Sequence, residues 1–323
     1  MQNKEPNLFL PIVNGVWNML ALLIKEMTKL PNNLPFTLDD NIYYTNNIRI
    51  NIGKDELRRN VYLNIGDSSP HTLIGGITSG GKSNLIKIIL TTIVNNYPNV
   101  KLFLLDYKRV ELSLFKSTVN CMRFEWSEEG IESALEELYQ IVLNRYEILE
   151  SQNTTKSSNL FFPIVFVIEE CILLSKKAMQ TLKKILVISR AVSVYGILTI
   201  QRAAGNDTIN PVIKSLLSNR ISFKMIDSNN SNLILDSPEA KDITQRGECY
   251  FRYNDKLIHL QTYFIKDSTV KDIVDKHKKD IQRMDNNYTL KVDTATKKKN
   301  IKIKNKNVNM ENKSTDTSWI DNL

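Results

Sequence analysis

A mainly parallel α/β sheet with helices on both faces is the fold this sequence predicts, and three observations carry the prediction. The first is a glycine-rich loop, Gly75 to Ser83, set between a short apolar run and a helical one. The second is the alternation, further along the chain, of short apolar runs with longer stretches of helical period. The third is the position of the polar residues. Asp106, Glu169, Glu170 and Gln201 each follow directly on an apolar run, and in a parallel sheet ligands sit at such carboxyl ends of strands.

The loop comes first. Gly76, Ile77, Thr78, Ser79, Gly80, Gly81, Lys82 and Ser83 spell G-x-x-x-x-G-K-S. His71 to Ile74 before it suits a buried strand. Leu85 to Leu90 after it, continued by Ile93 and Val94, forms one helical face. Strand, glycine loop and helix in that order are the context of a phosphate-binding P-loop. Glycines let successive N–H groups curl around phosphate oxygens, and the helix turns its positive dipole end toward the same anion. In ATP, Lys82 would neutralise the β- and γ-phosphates, and the Ser83 hydroxyl would ligate Mg²⁺. A chance glycine turn is the bland alternative, and the correct flanks argue against it.

Composition bounds the class. The chain has 323 residues, 42% hydrophobic and 24% charged, the balance of an ordinary globular protein holding one large domain or two smaller ones. A net charge of +8 favours a polyanionic partner. Half of that charge lies in the last stretch, where eight lysines from Lys291 onward face Asp293, Glu311, Asp316 and Asp321. Cys121, Cys171 and Cys249 are odd in number and far apart. They suggest reduced thiols in a cytoplasmic protein and offer no metal spacing.

In chain order, Asn7 to Ile24 has no formal charge but is interrupted by Pro11, Asn14, Gly15 and Asn18. It reads as an apolar helix docked on the body or a partner, with membrane association through residues 7–24 as the alternative. Leu30 to Asp40, with Pro31 and Pro35, reads as a linker, so residues 1–40 form an N-terminal helix and linker. Asn47 to Asn64 reads as a hairpin leading to the P-loop strand. Val100 to Leu105 is a strand ending on Asp106, Glu128 to Leu149 a long helix, and Pro163 to Ile168 a strand ending on Glu169-Glu170. Ala178 to Val192 is helical, Tyr195 to Ile200 a strand, Val212 to Leu217 a helix and Ile221 to Met225 a strand. The body spans 41–265. The remainder, 266–323, with Lys297-Lys298-Lys299, Lys302, Lys304 and Lys306 and no apolar period, reads as a disordered tail. It is either a basic arm on DNA phosphates or a solvated tail.

Glu169-Glu170 is the second informative site. An apolar strand delivering two acids fits a Walker B pair, Glu169 for the Mg²⁺ shell and Glu170 to polarise the attacking water. A solvated strand end also carries such acids. The strand between P-loop and acids in the sequence gives the order found in RecA-like motors. Gln201 at the next strand end fits a sensor of the γ-phosphate, or is an ordinary strand-end amide.

The chain from about Ile52 to Phe264 resembles the motor domain of the FtsK/SpoIIIE DNA translocases. The matching pieces are His71 to Gly76 with Gly81-Lys82-Ser83, Leu105-Asp106-Tyr107-Lys108 with Glu111-Leu112, and Arg145-Tyr146. Phe166 to Glu170, Thr199-Ile200-Gln201-Arg202, Asn219 to Phe223, Leu233 to Asp236 and Gln245 to Tyr250 match as well. The resemblance implies a RecA-like P-loop NTPase fold of the ASCE class. It also implies a homo-hexameric ring that hydrolyses ATP at subunit interfaces and pulls double-stranded DNA through its pore.

Two departures stand out. The family usually has Asp where Glu169 stands, and commonly Arg in the segment of Ser231-Asn232-Leu233. No winged-helix domain is read after the motor and no set of transmembrane helices before it. A lone motor of this kind resembles translocases of conjugative plasmids and other mobile elements, with a relaxase as an expected partner. Such a site needs a cation from the neighbouring subunit; Arg220 is the first candidate, then Arg190 and Arg202. Ser151 to Ser158, with Lys156, and Ser175-Lys176-Lys177 could face DNA phosphates or simply be solvated. Two other functions share these motifs: a protein-secretion ATPase, and a nucleotide-binding scaffold whose Glu169 has cost it turnover.

Overall fold

The computed structural model describes residues 30–155, 160–201 and 211–279, with Met19. The apolar segment 7–24 apart from Met19, the lysine-rich stretch from 291, Lys156 and Arg202 lie outside the described residues. Ten strands form one sheet among the described residues. In chain order they are β1 (Ile48–Asp55), β2 (Asn60–Ile65), β3 (His71–Gly75), β4 (Lys101–Asp106), β5 (Cys121–Glu125), β6 (Ile164–Glu169), β7 (Val194–Ile200), β8 (Asn219–Ser222), β9 (Glu248–Tyr253) and β10 (Lys256–Thr262). In space they run β2-β1-β10-β9-β8-β3-β7-β6-β4-β5. From β8 to β5 every pairing is parallel, and from β2 to β8 every pairing is antiparallel.

The parallel half is buried on both faces, as its near-continuous apolar strands require. Ile74, Leu102, Leu104, Val165, Val167 and Ile197 meet one core, and Leu73, Phe103, Leu105, Phe166, Ile168 and Leu198 the other. The first core is closed by α1 (Lys82–Asn96), and the second by α2 (Glu128–Ser151) and α3 (Lys176–Ile188). The short helices α4 (Pro211–Leu216) and α5 (Ser228–Leu235) lie on the second side. Ser127 caps α2 by accepting the Gly130 N–H at 3.0 Å, with Glu128 and Glu129 in the first turn, where acids meet the positive end of the helix.

The expected helices and strands of the P-loop half are present, and five elements are additional. β5 is a short edge strand, α5 a short helix after β8, and β9 with β10 forms an antiparallel hairpin. The fifth is α6 (Asp267–Lys276), which corrects the expected start of the tail at 266. Val270 and Val274 bury one side of α6 against the α1 core, Lys87 pairs with Asp267 at 2.7 Å, and the Val119 N–H bonds to the His277 carbonyl at 2.9 Å. The compact unit accordingly reaches His277. The expected linker is also docked. Leu30 is buried, Phe36 N–H donates to Phe264 O at 2.9 Å, and Phe264 N–H donates to Leu34 O at 2.7 Å. Finally, β8 ends at Ser222, earlier than the expected Met225; beyond it Phe223 N–H donates to Gly75 O and Lys224 O accepts from Ile77 N–H, both at 2.9 Å, so the chain follows the start of the P-loop.

If α6 belongs to the folded unit, Val270→Ala should lower stability by about 1–3 kcal/mol in chemical denaturation. A variant as stable as wild type would return this segment to the tail.

Candidate nucleotide-binding site

β3 carries Gly75 and Gly76 to the carboxyl edge of the sheet, and the loop curls back to start α1 at Lys82. Gly76 has φ +147° and Gly81 φ +136°, values that L side chains rarely adopt. A Cβ at Gly76 would lie 2.7 Å from Phe223 Cβ, and one at Gly81 2.6 Å from Phe223 Cε1. The Phe223 ring thus seals the back of the loop, and only glycine fits against it. Ile77 N–H bonds to Lys224 O at 2.9 Å and Gly247 N–H to Gly80 O at 2.9 Å, fixing the loop from both sides.

Lys82 is 6% exposed, and its Nζ donates to Gly76 O at 2.5 Å. Burial pulls its pKa down, and the Glu170 and Glu169 carboxylates pull it back up. Ser83 Oγ donates to Glu111 Oε1 at 2.7 Å. Glu111 is in turn set by Asp106, a fully buried carboxylate at the end of β4. Asp106 accepts the backbone N–H groups of Lys108, Arg109, Val110 and Leu112 at 2.9 to 3.2 Å. This fold of residues 107–112 aims Lys108 Nζ at Glu170 Oε2, 3.3 Å away.

The two acids sit one strand from the loop, because β7 lies between β3 and β6. Glu169 is buried and its pKa is pushed up to about 7 by that burial, against the hydrogen bond from Thr199 Oγ1 at 2.9 Å. The same Thr199 hydroxyl accepts the Glu170 N–H at 2.9 Å, so one residue of β7 spaces both acids. Glu170 has φ +60°, a left-handed conformation that is strained for a non-glycine residue. Its Oε1 accepts the Gln201 N–H at 2.8 Å. Thr78 Oγ1 donates to Gln201 Oε1 at 3.4 Å, which links loop, acid and amide.

The structure therefore brings together Gly76 to Ser83, Glu169, Glu170 and Gln201. Thr199, Lys108, Asp106 and Glu111 join them. Of these, the sequence marked Asp106 as a strand end and gave Glu111 no role; a polar residue two positions before Gln201 on an apolar strand was the available signal for Thr199. Arg220 goes elsewhere. It sits beside Leu73 in the register, and its Nη1 donates to Ile234 O at 3.1 Å and pairs with Asp236 Oδ2 at 2.5 Å. Arg252, opposite it on β9, donates to Leu235 O, and Lys214 pairs with Asp236 at 2.5 Å. These cations cap the negative end of α5. Arg190 is exposed, in the turn Ser189–Val192 before β7. Buried Arg145 steadies that turn, its Nη1 donating to Val192 O at 2.6 Å and its Nη2 to Phe162 O at 2.8 Å. Ser175 and Lys177, read as candidates for DNA, both engage Glu132 on α2, at 2.6 and 3.0 Å.

The glycine loop, the ion-ready hydroxyl and the paired acids, on a sheet with the order β8-β3-β7-β6-β4, define a RecA-like P-loop NTPase. The profile of the FtsK/SpoIIIE family matches residues 43–260. The chain belongs to the FtsK/SpoIIIE family. It is 28% identical over 254 residues to a DNA translocase FtsK of Borreliella burgdorferi, covering 71% of this chain and 32% of that protein. With a DNA translocase FtsK of Staphylococcus aureus the identity is 25% over 263 residues, covering 73% and 33%. The chain thus spans about a third of the length of these relatives. The structure resembles the pCW3 conjugation coupling protein TcpA, solved in a monomer form with ATPγS, at a TM-score of 0.67 and 19% identity, covering 78% of this chain and 76% of that one. It also resembles the Thermomonospora curvata EccC ATPases 2 and 3 in complex with a signal sequence peptide, at 0.61 and 22%, covering 74% and 44%.

Glu169 gives a test of the site's electrostatics. Its folded pKa lies above the unfolded value of 4.5, so the fold prefers the neutral acid, and stability falls as pH rises from about 4.5 to about 7. Glu169→Gln should therefore raise stability at pH 8 by on the order of 3 kcal/mol, seen as a higher melting temperature. The gain should vanish below pH 4.5. A variant less stable than wild type at pH 8 would contradict this environment.

Proposed function

We propose that this chain is an ATP-driven motor that moves double-stranded DNA through a homo-hexameric ring, in the transfer or maintenance of a mobile element. The observation that carries the reading is the convergence of Lys82, Ser83, Glu169, Glu170 and Gln201 at one sheet edge of an FtsK/SpoIIIE chain. ATP phosphates would take the loop N–H groups, and Lys82 would exchange the Gly76 carbonyl for them. Ser83 and Glu169 are the residues that would hold Mg²⁺, which supplies positive charge at the phosphates. Glu169 reaches one methylene further than Asp, and the Thr199 hydroxyl fixes where its carboxylate lies. Glu170 would orient and polarise the attacking water, and Gln201 would report on the γ-phosphate through its contacts with Thr78 and Glu170.

The cation from the neighbour is better assigned to Arg190 than to Arg220. Arg220 is held by its own chain's Asp236. Arg190 is exposed and precedes β7, whose seven residues place it roughly 20 Å from its own phosphate loop. A cation there is too distant for its own site and is free to meet a neighbour's.

Secretion ATPases share this fold, as the likeness to the type VII secretion ATPase EccC illustrates. The sequence relatives favour DNA, because those cited are DNA translocases. A cytoplasmic site of action follows from a DNA substrate; among the described residues no helix is long and apolar enough to cross a membrane.

Wild-type protein should displace a third strand from a DNA triplex only with ATP. Glu170→Gln should keep ATP affinity yet lose turnover by on the order of 100-fold or more, and Lys82→Ala should lose both. Displacement by either variant at the wild-type rate would remove the proposed roles. A mixture of Arg190→Ala with Glu170→Gln should regain hydrolysis that neither has alone, since some interfaces then pair an intact Glu170 with an intact Arg190. Mixed rings that stay inactive would exclude Arg190.

A further inference from the structure

Beside the phosphate loop lies a cavity of about 250 Å³ whose walls include Gly81, Asn84, Arg246, Asn33 and Phe264. Gly81 belongs to both loop and cavity, so a molecule with phosphates in the loop has an open space next to it. The volume is below the roughly 300–1,000 Å³ that accommodates a drug-sized ligand and suits a single flat heterocycle. Beyond Phe264 a second cavity, of about 550 Å³, has no phosphate-loop residue in its walls.

Phe264 combines two features that rarely go together. Its side chain is among the exposed large hydrophobics, at 57%. Its backbone, in contrast, is held on both sides. Phe264 N–H donates to Leu34 O at 2.7 Å, and Phe264 O accepts from Phe36 N–H at 2.9 Å. Asn84, the residue after the Ser83 of the loop motif, donates to Tyr263 O at 2.6 Å and accepts the Ile265 N–H at 3.0 Å. An aromatic ring exposed on a fixed mount is preorganised for stacking, since little backbone ordering remains for binding to complete.

We propose that Phe264 is the stacking platform for the base of the bound nucleotide. Asn33 and Arg246 stand at the same cavity and supply hydrogen-bonding groups for the edge of the base or the ribose. The assignment rests on the reading of Gly76 to Ser83 as the phosphate site. It goes further in using residues 33 and 264, both outside the stretch 43–260 that the family profile matches. It also gives a purpose to the docked strap at residues 34–36, which holds the ring in place from the N-terminal side.

Calorimetric titration of the full chain with ATPγS and with inorganic tripolyphosphate tests the proposal. Phe264→Ala should weaken ATPγS about tenfold, the effect of losing one base–aromatic stack, and leave tripolyphosphate unchanged. Phe264→Tyr should restore ATPγS binding to about the wild-type value. Equal weakening of both ligands would mean that the ring only supports the loop, and unchanged ATPγS affinity would mean that no base meets it; either overturns the proposal. A wild-type chain that binds tripolyphosphate as tightly as ATPγS overturns it alone. A wild-type chain that binds neither overturns it together with the phosphate-loop reading.

Discussion

The register of four parallel strands is the constraint on which the site depends. Gly75 pairs with Ile200, Ile168 with Leu198, and Asp106 with Glu169. Because β3, β7, β6 and β4 end along one line, the glycine loop, Gln201, the two acids and Asp106 leave the sheet side by side. A one-residue slip of β6 would turn every one of its side chains to the opposite core. Apolar contacts on both faces resist that slip.

Charge is buried along that line. Asp106 gives its carboxylate to four backbone N–H groups and so shapes the loop that carries Lys108 and Glu111. Lys108 and Glu111 then hold Glu170 and Ser83. Glu169 is buried, and its raised pKa is the consequence, only partly offset by the hydrogen bond from Thr199. An acid held this way is destabilising at neutral pH until a cation arrives, which is a common property of functional groups. The Ser83–Glu111 bond uses only the hydroxyl hydrogen and leaves the oxygen lone pairs for the proposed cation.

What the sequence made legible is local. The G-x-x-x-x-G-K-S loop, the apolar strands and the acids that end them are each defined within a few residues, so their positions follow from pattern alone. What it hid depends on distant partners. Glu111 meets Ser83 across 28 residues. Arg220 looked available in a matched segment, yet Asp236 and the end of α5 bind it. Pro31 and Pro35 made the strap read as a linker, although its bonds go to Phe264. The polar face of α6 and the lysines after it masked Val270 and Val274, which are buried against α1. β5 is a five-residue edge strand with one buried position, too weak a pattern to declare itself. Residues 7–24, Met19 apart, and the lysine-rich stretch lie outside the described residues.

The central claim is that this nucleotide site is coupled to duplex DNA. The rate of ATP hydrolysis by the full chain, measured with and without linear double-stranded DNA at protein concentrations that support assembly, addresses it most directly. The account predicts a several-fold higher rate with the duplex. Hydrolysis at the same rate with and without duplex, by assembled protein, would contradict it.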